Sequence, residues 1–170
     1  MIYKTTYSSP LGEITIASNG SELIGLWFTQ QKYYMKNIDE ETEEKADLKI
    51  FDDTKNWLDR YFLKQKPNIF EISLAPIGNE FRQSVWQILC KIPYGQINTY
   101  GEIAKKYAHI KNKSSMSAQA IGSAIGHNPI SIIIPCHRVI GKNKQLLGYA
   151  GGIDKKIQLL EHEGFYDFVR

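Results

Sequence analysis

Leu74-Ala75-Pro76-Ile77-Gly78 is where the hydrophobic pattern of this chain changes, and with it the kind of structure the sequence specifies. Proline and glycine flanking a single apolar residue interrupt helix and strand alike, so the stretch marks a boundary between segments of different period. It separates residues 1–76, which read as an α+β lobe, from residues 77–170, which read as mainly helical.

Towards the N-terminus, Leu48, Phe51, Leu58, Tyr61 and Phe62 recur at helical spacing and predict a helix from Asp47 to Leu63, closed by Lys66-Pro67. Ile69 to Ser73 reads as a returning strand. Asp39-Glu40-Glu41-Thr42-Glu43-Glu44 has no apolar anchor and reads as a solvated connection. Ahead of it, Ile14 and Ile16 alternate with Thr15 and Ala17, and Ile24, Leu26 and Phe28 are spaced by two. With turn residues at Ser9-Pro10-Leu11-Gly12 and Asn19-Gly20, these predict a small antiparallel meander of three strands.

Towards the C-terminus, Phe81, Val85, Ile88 and Leu89 mark a helical face within Glu80 to Lys91, stopped by Pro93 and Tyr94-Gly95. Cys90 on that helix reads as a small buried hydrophobe. Thr99-Tyr100-Gly101-Glu102 has the form of a capping box opening a helix from Tyr100 to Tyr107. Ser117 caps a second one, Ala118 to Ile125, which closes at Gly126-His127-Asn128-Pro129. Two short helices joined by a polar turn have the form of a helix-turn-helix. The small residues of the second helix suit either tight packing in the core or close approach to a nucleic-acid groove.

With 170 residues, 42% of them hydrophobic, the chain can bury a core without metal or disulfide support. No apolar run reaches the roughly 18–20 residues of a membrane helix, and Met1-Ile2-Tyr3-Lys4 lacks the layout of a secretory signal, so a cytoplasmic protein is expected. Cys90 and Cys136 stand apart with no zinc-type spacing around them, so two free thiols and no metal are expected. The net charge of +3 is uneven. Residues 1–76 carry 9 Lys+Arg against 12 Asp+Glu, which leaves 12 against 6 for the rest and makes the second half the candidate for a polyanion.

The chemistry concentrates at Ser131-Ile132-Ile133-Ile134-Pro135-Cys136-His137-Arg138. The apolar run reads as a buried strand ended by Pro135, which would deliver a thiol to a fixed position beside a base and a cation. A free thiol is only a few per cent ionised at neutral pH, so His137 is expected to lower the Cys136 pKa, with a carboxylate orienting the imidazole. The same parts would also suit a cysteine hydrolase.

Pro135-Cys136-His137-Arg138-Val139-Ile140, with Gly126-His127-Asn128-Pro129 before it and Gly148-Tyr149-Ala150-Gly151-Gly152 after it, resembles the O6-alkylguanine-DNA alkyltransferases. The match extends from Phe81-Arg82-Gln83-Ser84-Val85-Trp86 to Leu159-Leu160-Glu161-His162-Glu163-Gly164. The resemblance implies a ribonuclease H-like N-terminal lobe, residues 1–76, and a C-terminal DNA-binding and alkyl-acceptor domain, residues 77–170. It also implies stoichiometric, irreversible transfer of an alkyl group from O6-alkylguanine, and from O4-alkylthymine, in flipped-out nucleotides of double-stranded DNA. The protein would act as a monomer without a cofactor.

In that likeness Cys136 is the alkyl acceptor, His137 the base acting through a water, Glu163 its orienter, and Asn128 the side chain that ties its turn to the active-site segment. Tyr100 would donate to the departing guanine, where negative charge develops. Tyr149, Ala150, Val139 and Ile125 would line the substrate pocket, with the Cys136 and Val139 carbonyls accepting from the guanine amino group. Thr99, Tyr100, Ser117, Ala118, Gln119, Ala120 and Gly122 would meet DNA, the second helix entering the minor groove while an intercalating side chain fills the vacated space. The family places an arginine at that wedge, where this chain has Gln119, and some members have serine where it has Ala150. Glutamine is shorter and uncharged. Gln119→Arg is therefore expected to tighten duplex binding and speed repair; equal affinity and equal rate for parent and variant in a duplex titration would remove that reading.

Overall fold

The computed structural model describes residues 1–36 and 38–169. The chain forms two compact units: Met1–Ile77 with Pro129–Ser131, and Gly78–Asn128 with Ile132–Arg170. Among the described residues no helix is long and apolar enough to cross a membrane.

The first unit is a four-stranded sheet with one helix. Strands β1 (Ile2–Ser9), β2 (Gly12–Ser18) and β3 (Leu23–Phe28) are the expected antiparallel meander, with Ser9 opposite Gly12 and Ile14 opposite Phe28. The acidic connection differs from expectation: Thr42–Glu44 forms β4, parallel to β1, making the sheet mixed, in the order β3-β2-β1-β4. Edge pairing needs only the backbone, so Glu43 and Glu44 keep their carboxylates in water while their peptide groups extend the sheet. Every residue of β3 is buried. Its backbone is continued by Ser73 and Ala75 bonding to Leu23, and by Pro129 and Ser131 bonding to Leu26.

Helix α1 (Lys49–Phe62) buries Ile50, Phe51, Thr54, Trp57, Leu58 and Tyr61 on one face, with Trp57 and Tyr61 stacked at 5.6 Å. The expected strand over Ile69 to Ser73 is instead a 3-10 turn, Ile69–Glu71. The Asn68 side chain accepts from the Phe70 N–H at 2.8 Å, and that local bond competes with an extended backbone.

The second unit gathers α2 (Glu80–Leu89), α3 (Tyr100–Ile110), α4 (Ala118–Gly126) and α5 (Ile153–His162). Asn79, Thr99 and Ser117 cap the first three by accepting from the N–H groups of Arg82, Glu102 and Ala120. Helix α3 runs past Tyr107 because Ala108, His109 and Ile110 contain no breaker, and it ends where Asn112 turns left-handed at φ 55°. Trp86 Nε1 donates to the Ala124 carbonyl at 2.9 Å, fastening α2 to α4. A two-stranded parallel sheet, β5 (Asn98–Thr99) with β6 (Val139–Ile140), places the start of α3 beside the segment that follows Cys136.

Ser131 to Ile134 is not a strand. Only Ile130 bridges to Leu26; the next residues form a fully buried turn in which Ile132 holds φ 69°. A β-branched residue there costs about 1–2 kcal/mol, and burial of Ile132, Ile133 and Ile134 offsets it.

Close approach also constrains β3, where a Cβ on Gly25 would overlap the buried Trp27 indole. Gly25→Ala is expected to lower unfolding free energy by about 1–3 kcal/mol, read as a lower denaturant midpoint; an unchanged midpoint would show that the indole relocates freely.

Candidate active site

Cys136 opens a 3-10 turn, Cys136–Arg138, rather than ending a strand. The residue is 5% exposed. The Asn128 side chain donates from Nδ2 to the Ile134 carbonyl at 2.9 Å, closing the buried turn that leads to it.

His137 is fully buried and meets Glu163 through Nε2···Oε2 at 2.5 Å. Arg138 turns to the same carboxylate, with Nε to Oε1 at 2.7 Å and a terminal nitrogen to Oε2 at 3.1 Å, while its other terminal nitrogen donates to the Ile92 carbonyl at 2.7 Å. The Gly95 N–H donates to Glu163 Oε1 at 3.1 Å, with Gly95 at φ +79° and a Cβ there lying 3.2 Å from the Glu163 carbonyl. Glycine is needed on both counts.

Burial alone would raise the Glu163 pKa, yet His137 and Arg138 together hold it well below the usual carboxylate range. Burial pushes His137 down from its ordinary 6.5, against the pull of Glu163 and with the Arg138 and Lys156 charges adding to the fall. A neutral imidazole facing a carboxylate through Nε2 carries its proton there, which makes Nδ1 the acceptor. Nδ1 is buried without a hydrogen-bond partner among the described residues.

The expected depression of the Cys136 pKa does not appear. Burial pushes the thiol up, opposed by hydrogen bonds from Asn128 and Tyr149 and by the Lys156 charge, and His137 is not among the opposing groups. The resting thiol is protonated. Cys90 is half-buried at the end of α2, its pKa raised to about 11 by burial.

Sequence reasoning passed over Lys156. Its side chain is fully buried, Nζ donates to the Leu147 carbonyl at 3.3 Å and lies 5.7 Å from the centroid of the Tyr100 ring, and burial lowers its pKa to about 8. The signal was present: Lys156 shares the buried stripe of α5 with Leu159, Leu160 and Glu163. The sequence reading also left Arg138 without its carboxylate partner.

Of the remaining expected residues, Tyr100 is half-buried with its pKa raised to about 12, first by burial and then by Cys136. Tyr149 and Ala150 are half-buried on the loop before α5, and Val139 and Ile125 are buried. The Cys136 carbonyl accepts from the Val139 N–H. On α4, Ala118, Gln119 and Ser123 are exposed, Ala120 and Gly122 half-buried, and Ile121, Ala124 and Ile125 face the core. Thr99 is half-buried and Ser117 exposed, each occupied in capping.

The family model for the DNA binding domain of 6-O-methylguanine DNA methyltransferase matches residues 80–165, and that for its ribonuclease-like domain matches residues 2–76. The chain belongs to this family. It is 36% identical to the methylated-DNA--protein-cysteine methyltransferase of Haemophilus influenzae over 95% of this chain and 86% of that protein. The Methanosarcina mazei protein of the same name is 41% identical over 95% and 97%. The crystal structure of Mycobacterium tuberculosis OGT in complex with DNA superposes with a TM-score of 0.82 at 38% identity, covering 95% of this chain and 92% of that one.

Acid should weaken the site's contribution to folding. His137 and Glu163 both have depressed pKa values in the folded chain, so the unfolded chain binds more protons below their ordinary values of 6.5 and 4.5, and stability falls as pH drops through each. Glu163→Gln is expected to cost about 3–5 kcal/mol at neutral pH by stranding Arg138, and to flatten the fall below pH 4.5. Denaturant midpoints across pH check both, and parallel curves for parent and variant would contradict the assignment.

Proposed function

We propose that this chain is a DNA repair protein that transfers the alkyl group of O6-alkylguanine in double-stranded DNA to Cys136, once per molecule. The observation that carries the reading is the buried His137 imidazole, next in sequence to Cys136, with its Nε2 paired to Glu163 and its Nδ1 without a hydrogen-bond partner among the described residues. Family membership and a DNA-bound relative of 38% identity support the substrate class.

In this mechanism the Cys136 proton passes to His137 Nδ1, directly or over a water, as the sulfur attacks the alkyl carbon. The S–C bond forms while the C–O6 bond breaks, and the guanine leaves with the electron pair. Tyr100 donates its hydroxyl to the charge developing on the purine, and Lys156, beside the same ring, adds positive field. The target atom lies within a base pair, so the nucleotide must leave the stack, and the exposed face of α4 meets the groove from which it turns. O4-alkylthymine presents the same alkoxy group and is a second substrate. The product is a neutral thioether; with no group to cleave it, the protein is spent after one transfer. The domain from Gly78 onward carries the DNA contacts and the acceptor, and the chain acts as a cytoplasmic monomer.

Incubation with a duplex containing one O6-methylguanine, followed by intact and peptide mass measurement, tests this. One methyl mass on Cys136, a matching yield of restored guanine, and none of either with Cys136→Ala are expected. Restored guanine with unmodified protein would indicate a hydrolase. Binding of the lesion by folded protein without loss of the methyl group would indicate recognition alone.

A further inference from the structure

A second surface of the helix-turn-helix has no part in the chemistry at Cys136. Between α3 and the turn leading to α4 lies an open cleft of about 560 Å³. Its floor includes Ala104 and Ala108, both nearly buried, and its rim includes Lys105, Lys113, Ser114 and Ser115, all exposed. The cleft continues onto α4 at Ala118. Both of its ends are anchored: the Lys113 N–H donates to the Ala108 carbonyl at 2.8 Å, closing the end of α3, and Ser117 caps α4 at 3.2 Å. The Lys113 ammonium lies 5.8 Å from the centroid of the Tyr107 ring. The lining carries two cations, Lys105 and Lys113, and no carboxylate, while the exposed Glu102 stands next to it in the chain.

We infer that this cleft seats one deoxyribose-phosphate of the DNA backbone, the sugar against the Ala104–Ala108 floor and the phosphate between Lys105, Lys113 and the two serine hydroxyls. Apolar floor, cationic rim and short hydroxyl donors match the two halves of that unit, and phosphate contacts of this kind set register without reading sequence. Continuity with α4 places the cleft along the same strand that α4 would track. The inference rests on the proposed DNA function and adds to it a backbone anchor adjoining the small-residue face of α4.

Duplex binding measured by fluorescence anisotropy over a range of salt concentrations tests it, comparing the parent, Lys105→Ala/Lys113→Ala, and a control pair, Lys91→Ala/Lys142→Ala, whose lysines are exposed and outside the cleft. Each lost phosphate pair lowers the slope of log affinity against log salt by about 0.9. Because the two lysines share one phosphate, the cleft pair is expected to lower it by about 0.9, the control pair by much less, with the first-order methyl-transfer rate at saturating duplex equal to that of the parent. Equal slopes for the two pairs, in a parent that binds duplex and takes the methyl group, would overturn the cleft alone. A parent that does neither would overturn the function on which it rests.

Discussion

The site is organised around one buried carboxylate. Glu163 sits at the C-terminal end of α5 and accepts from His137, Arg138 and the Gly95 backbone, so two separate stretches of chain converge on its two oxygen atoms. An ionised carboxylate in such surroundings is tolerable only when its lone pairs are filled by charged or well-aligned donors, and the Arg138 fork supplies two of them. The arrangement dictates identity at each corner. Residue 95 must be glycine to bring its N–H in, residue 138 must be a planar fork, and residue 137 must be a side chain that can give one proton to the carboxylate and keep a lone pair on its far side.

Burial also governs the state of the Cys136 thiol. A permanently ionised sulfur would have to be held in a site where Cys136 is 5% exposed, at the full desolvation cost of a buried anion. Burial instead keeps the thiol protonated, while the neutral imidazole keeps a basic nitrogen in reserve. Lys156 fits the same economy: it is fully buried, already pushed down to about 8, and its field favours anion at Cys136 without pairing with it in the resting state. Negative charge would thereby be generated only as the reaction proceeds and not maintained beforehand.

The sequence made the periodic elements readable: the meander, α1, α2 and α4 follow from apolar spacing, and the caps at Thr99 and Ser117 from residue chemistry. It misled where complete burial was taken to mean a strand. Ser131 to Ile134 has the composition of one, yet Asn128 bonds to Ile134 across the loop, and Ile132 accepts a left-handed backbone that no local propensity favours. Ile69 to Ser73 failed for the opposite reason, a local side-chain bond from Asn68 prevailing over β-branched composition. The candidate site was legible as a cysteine followed by a histidine because those residues are adjacent in sequence. The positions of Gly95 and Ile92 around it depend on chain convergence across 68 and 46 residues, which no local pattern encodes.

The two faces of α4 differ in what their small residues do for the fold. The core face is supplied by Ile121, Ala124 and Ile125, with the Trp86 indole bonded to the Ala124 carbonyl. Close packing therefore accounts for one alanine and not for the others. Ala118 and Ser123 point outward with Gln119, and Ala120 and Gly122 lie at the margin. Alanine is the best helix former, so propensity alone can account for Ala118 and Ala120, but Ser123 and Gly122 gain nothing there over longer polar residues of equal or better propensity. What small side chains do provide is a backbone that another surface can approach within a few ångströms. A groove only about 6 Å wide is a surface for which that property decides whether a helix can enter at all.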